Sequence, residues 1–148
     1  MGSDMPTTTI HQLRRNFLRA LVLMEVASTL IGAVLCVAAP ERVIGPLVAG
    51  PLDAQAADVL PHAGASWVVL AMLLLGSLRL RAGQEGVLRM LLIPLLVGDV
   101  LHLGAIAILV GGHGDWTAGA VGLALTPVVV ATYRLVLLFR PGWFLPTS

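Results

Sequence analysis

The sequence predicts an all-α polytopic membrane protein: one domain, residues 1–148, folded as a bundle of four transmembrane helices with both termini in the cytoplasm. Three observations predict it. Of the 148 residues, 57% are hydrophobic and only 11% are charged, against about 25% charged in a soluble domain. Four stretches reach the roughly 20 apolar residues that a spanning helix needs. The arginines, finally, gather on one side of the bundle that those stretches define. A chain of this composition cannot clothe a water-facing surface, which excludes an ordinary cytosolic enzyme, a nucleic-acid binder and a disordered tail. Its net charge of +1 gives it no pull toward polyanions. The expected surroundings are the lipid bilayer, and the expected compartment is a bacterial inner membrane.

Residues 1–10 are polar and are expected to fray. The first span covers about 17–39; it is too long for a signal-peptide core and no small-residue cleavage site follows, so it is read as a retained helix. An outer segment, 40–61, holds Pro40, Pro46, Pro51 and Pro61 yet stays fairly apolar. It reads either as an interfacial, partly re-entrant lid or as a loop lying passively on headgroups. The second span, about 63–80, and the third, about 87–110, flank a tight turn at 82–86, so they form an antiparallel hairpin. Glycines at 111, 112 and 114 permit a sharp reversal before the fourth span, about 117–139. Arg14, Arg15, Arg19, Arg79, Arg81, Arg89, Arg134 and Arg140 lie on the side of the termini, leaving Arg42 on the other; the positive-inside rule makes the crowded side cytoplasmic. There is no internal repeat, hence no sign of a transporter built by duplication.

Ionisable groups inside a span cost about 2.5–3.5 kcal/mol on insertion scales, so they are expected to face the bundle interior and to matter. Glu25 lies about 12 Å into the first span at 1.5 Å per residue. Asp99 lies near the middle of the third, and His102 follows it by one helical turn on the same face. Two carboxyl groups at overlapping depths suit a division into general acid and general base, with the Asp99–His102 pair able to activate water. The competing expectation is that Asp99 caps Arg134, or bonds to His102 and Thr126, and merely fastens helices. His62, Trp67, Thr126, Tyr133 and Arg134 are the candidate substrate-binding residues, Arg134 also as a partner of Glu25. Trp67 equally suits an interfacial anchor. Pro94 and Pro127 are expected to kink their helices. No metal site is expected, because no His-x-x-x-His or Glu-x-x-His pairing lies in a span and the lone Cys36 excludes a disulfide and a thiolate cluster. No cofactor motif is present either.

The strings 23–33 (LMEVASTLIGA) and 98–103 (GDVLHL), with Leu78-Arg79-Leu80-Arg81 and Tyr133-Arg134, resemble small four-helix membrane proteins of fungal and bacterial natural-product clusters. That group includes membrane-bound epoxide hydrolases and cyclases of polyketide and meroterpenoid pathways. The resemblance implies that Glu25, Asp99 and His102 form a cofactor-independent acid/base set acting on a lipophilic polyketide or terpenoid epoxide. Val26 stands where a proline commonly follows the glutamate in that group, which bears on the geometry of the first span. Two other readings compete. Leu-Met-Glu-Val around Glu25 looks like small multidrug transporters, hence a proton-coupled exporter; the third is a non-catalytic assembly or chaperone subunit with interhelical polar fasteners. An enzyme or exporter needs a cavity at the depth of Glu25 and Asp99, a fastener needs none, and a homo-oligomer stays open under each reading.

Overall fold

The computed structural model describes residues 7–44, 54–113 and 118–146. It is all-helical, with no strand among the described residues. The helices are α1 (Thr7–Ala38), a short α2 (Pro40–Ile44), α3 (Ala54–Ser77), α4 (Glu85–His113) and α5 (Ala118–Phe139), followed by one 3-10 turn, Pro141–Trp143. Four of them, α1, α3, α4 and α5, are long and apolar enough to cross a membrane. Large apolar side chains such as Met24, Met72, Met90, Ile108 and Phe139 stand exposed around the outside, the arrangement expected when lipid rather than water is the solvent.

The helices are longer than hydropathy alone indicates. Helix α1 starts at Thr7, so residues 7–10 are helical rather than frayed. It ends at Ala38, because Ala39 precedes Pro40 and a residue before proline is disfavoured in the α region. Pro40 then opens α2 at the one helical position where a missing N–H costs nothing. Residues 54–61, assigned above to the outer loop, instead begin α3. Pro61 lies inside that helix, as Pro94 and Pro127 lie inside α4 and α5; neighbouring helices and side chains can re-satisfy the freed carbonyls. Residues 45–53, the rest of the expected lid, and 114–117 of the expected reversal lie outside the described residues.

The α3–α4 connection shows how the chain stops one helix and starts the next. Helix α3 ends at Ser77, three residues before the expected end of the span, in bonds from Leu78 N to Leu75 O (3.2 Å), Arg79 N to Gly76 O (3.1 Å) and Leu80 N to Ser77 O (3.2 Å), which use up terminal carbonyls. Gly83 then takes φ +82°, a conformation that costs a residue with a Cβ. The Gln84 side chain accepts from Arg81 N at 2.7 Å, and Glu85 starts α4 with an acid in its first turn.

Two helix pairs result. Helix α1 packs closely along α3, and α4 along α5. At the arginine-rich end one apolar cluster joins all four: Leu18, Val22 and Val26 of α1, Ala71 and Leu74 of α3, Leu88, Leu92 and Leu95 of α4, and Tyr133 and Leu137 of α5. Phe144 and Leu145, 1% and 3% exposed, close it from below. They are folded back by the 3-10 turn, whose Trp143 N donates to Arg140 O at 3.0 Å. Beyond Val26 and Leu95 the buried apolar residues belong to separate sets among the described residues. Ala33, Cys36 and Leu60 lie in α1 and α3, and Ile106 packs with Leu123 and Ala124 between α4 and α5. The pairs are thus tied at one end and share no described apolar core at the other.

Close approach of α1 and α3 depends on glycine. A Cβ on Gly64 would sit 2.9 Å from the backbone oxygen of Ala33 and 3.1 Å from Cys36 Cβ. A carbonyl cannot swing aside as a side chain can. Gly64→Val is therefore expected to destabilise the α1–α3 pair by about 1–3 kcal/mol, read as a lower melting temperature of the detergent-extracted protein. Gly76, with nothing within 4 Å of its Cβ position among the described residues, should accept alanine without loss.

Candidate active site: one guanidinium between two carboxyl groups

The first polar feature of the interior is a consequence of depth. Glu25 on α1, Asp99 on α4 and Arg134 on α5 reach one level, just beyond the shared apolar cluster. Arg134 is 1% exposed. Its Nη1 donates to Asp99 Oδ2 at 2.5 Å and to the Leu95 carbonyl at 2.8 Å, while Nη2 donates to Glu25 Oε1. The planar guanidinium spreads its donors over two terminal nitrogens in a rigid fork and so reaches acceptors on two different helices, whereas the three donors of lysine radiate from a single nitrogen. The same side chain bonds to one member of each helix pair, so it ties α1/α3 to α4/α5 where apolar packing stops. Apolar contact alone gives little drive for association in lipid, so polar ties of this kind count.

The charge count is the chemically informative part. One guanidinium faces two carboxylates, a formal charge of −1 in a low-dielectric interior. A single proton on either acid brings the triad to neutrality. The two acids are not equivalent: the Asp99 side chain keeps 13% of its surface exposed against 8% for Glu25, and Glu25 Oε2 is buried without a hydrogen-bond partner among the described residues, as is Arg134 Nε. Asp99 is thus the more exposed of the two acids.

The remaining candidates sit apart from this triad. His102 is exposed, one turn beyond Asp99 on α4. Thr126 is exposed and its hydroxyl donates to Gly122 O at 3.2 Å within its own helix, so it does not bond to Asp99. Trp67, half-buried, packs on Gly32 of α1. His62 is exposed near the start of α3, where its carbonyl accepts from Ser66 Oγ at 3.2 Å. Tyr133 is buried and its hydroxyl has no hydrogen-bond partner among the described residues. No group of three or more His, Cys, Asp or Glu residues able to hold a metal ion occurs among the described residues.

A groove of about 430 Å³ lies between α1 and α5 at the arginine-rich end and touches neither Glu25 nor Asp99. The space between the two acids is filled by Arg134 rather than left hollow. Sequence reasoning placed Glu25, Asp99 and Arg134 at compatible depths but missed the Leu95 carbonyl, for which no residue-type signal exists. It also missed Arg19, which donates to the Leu78 carbonyl at the end of α3 and lies 5.9 Å from the Phe144 ring. The apolar run Trp143-Phe144-Leu145 after Arg140 and Pro141 was the available sign that the chain turns back into the bundle. Comparison of the chain with protein-family models, with curated proteins and with solved structures finds no match.

Proposed function

We propose that the chain is a cofactor-independent membrane enzyme that opens an epoxide on a lipophilic substrate by acid/base catalysis, seated in a bacterial inner membrane with its arginine-rich end and both termini in the cytoplasm. The observation that carries this reading is the triad itself. Two acids from separate helices share one buried guanidinium and stand one proton from neutrality. A site so constituted holds a single transferable proton, and the exposed apolar side chains around the helices suit the approach of a hydrocarbon guest.

With the proton on Asp99, Glu25 alone balances Arg134. Asp99 donates to the epoxide oxygen as the C–O bond breaks, and water forms the new C–O bond at the carbon. The proton that this water loses passes to the imidazole of His102, one turn along α4, and from there back to Asp99. The product is a diol, water is the only co-reactant, and the triad carries one proton before and after. An internal hydroxyl in place of water gives a cyclic ether by the same steps. General acid/base assistance of this kind is worth about 10²–10⁴ in rate.

Membranes holding the protein are to be incubated in H₂¹⁸O with a set of oily mono-epoxides: a terminal isoprenoid epoxide, an internal octadecenoate epoxide and stilbene oxide. Diol carrying one ¹⁸O, or a cyclic ether from a hydroxylated isoprenoid epoxide, is the expected product. Consumption of none of them above the rate of membranes without the protein overturns the epoxide reading. The alternative that Arg134 is only a fastener draws on its near-complete burial and on the groove's distance from the acids, and it predicts no turnover at all.

A further inference from the structure

The groove between α1 and α5 has a feature that the triad does not explain. Its walls are apolar, with Phe17 and Leu21 from α1 facing Val129 and Val136 from α5. Its lip at the arginine-rich end is cationic: Arg14 lies with its guanidinium 4.9 Å above the ring of Trp143. Stacking on an indole occupies the face of a guanidinium and leaves its in-plane N–H edges free, and those edges match the oxygens of a phosphate. Arg14 is exposed and makes no hydrogen bond or ion pair among the described residues, and Arg15, half-buried, is its neighbour. Trp143 is itself held in place by the burial of Phe144 and Leu145. The volume of about 430 Å³ falls within the roughly 300–1,000 Å³ range of small-molecule sites.

We infer that this groove binds an anionic phospholipid, with one acyl chain lying between α1 and α5 and its phosphate on the edge of Arg14. Charge complementarity selects the occupant. A zwitterionic lipid offers the same chain, but its cationic choline or ammonium group stands against Arg14 and Arg15. The site is independent of the epoxide reading, since it contains neither Asp99 nor Glu25. An occupant there bridges α1 and α5 at the end where the helix pairs are tied, so it stabilises the fold.

The test uses the full chain in detergent, with phosphatidylglycerol and phosphatidylcholine of identical acyl chains, read by native mass spectrometry and by melting temperature. Phosphatidylglycerol is expected to stay bound and to raise the melting temperature, with phosphatidylcholine weaker on both counts. Arg14→Ala should lower phosphatidylglycerol affinity about tenfold, the worth of a lost charge-assisted hydrogen bond, and bring the two lipids level. Arg81→Ala removes an exposed arginine from the α3–α4 turn and should leave binding unchanged. Val129→Trp, at an exposed wall position, should exclude the chain while Arg14 remains. Equal binding of both lipids overturns the inference, as does an equal loss in Arg81→Ala, which would mark diffuse attraction to a basic surface. Undiminished binding in Val129→Trp would place the chain elsewhere and overturn the groove.

Discussion

Arg134→Met is expected to lose most of the folded protein. Methionine fills much of the same volume but leaves Glu25 and Asp99 facing each other without a cation, and it strips the Leu95 carbonyl of its side-chain donor. Breaking a buried ion pair from one side costs about 3–5 kcal/mol, because an uncompensated charge stays behind. That is a large share of the few kcal/mol by which a domain is stable. The readout is monodisperse protein recovered after heating in detergent. Arg134→Lys keeps the charge but loses the fork, so it should fall between parent and methionine variant. The combination Arg134→Met, Glu25→Gln, Asp99→Asn removes all the charges together and should recover much of the loss, since replacing a whole buried ionic group is often neutral. A methionine variant that melts within about 1 kcal/mol of the parent, the typical worth of a single net hydrogen bond, would show that the helix pairs are not held through Arg134.

How far the sequence foretold this arrangement follows from what each signal measures. Hydropathy measures transfer into lipid, so it located the four spans to within a few residues in their apolar middles. It missed Thr7–Ile10 and Ala54–Pro61, which are helical but polar or proline-bearing. Depth arithmetic likewise brought Glu25 and Asp99 to one level, because rise per residue is fixed. Azimuth was harder. Asp99 and His102 share a face by spacing, yet Asp99 is drawn inward by Arg134 while His102 stays exposed. Which way a face turns depends on the neighbouring helix, and the pairing of α1 with α3 and α4 with α5 rests on local fits such as Gly64 against Ala33. No residue-type pattern encodes that fit. Arg134 was legible as a partner of Glu25 and, separately, as the group that Asp99 caps, but not as the one side chain that fills the space between both acids, since occupancy is a property of three helices at once.

Asp99→Asn separates catalysis from fastening, and its expected effect on activity is larger than that of any other neutral substitution. Asparagine is nearly the same shape, and its amide oxygen still accepts from Arg134 Nη1, so the tie between α4 and α5 survives. Glu25 and Arg134 then balance each other with no proton in the site. Folding and melting should therefore stay close to the parent, while turnover of a responsive epoxide falls by about 10²–10⁴, the worth of a general acid. Glu25→Gln tests the same logic from the other side. It leaves Arg134 with Asp99 alone, so protonating Asp99 now strands a buried guanidinium; activity should fall although Glu25 need not touch the substrate. His102→Ala should slow turnover with little change in melting, because His102 is exposed and makes no side-chain hydrogen bond to another helix among the described residues. Full turnover in Asp99→Asn would remove Asp99 from proton transfer. Loss of folding in both single acid variants, on the scale of Arg134→Met, would mean that the triad holds the bundle together and does no chemistry.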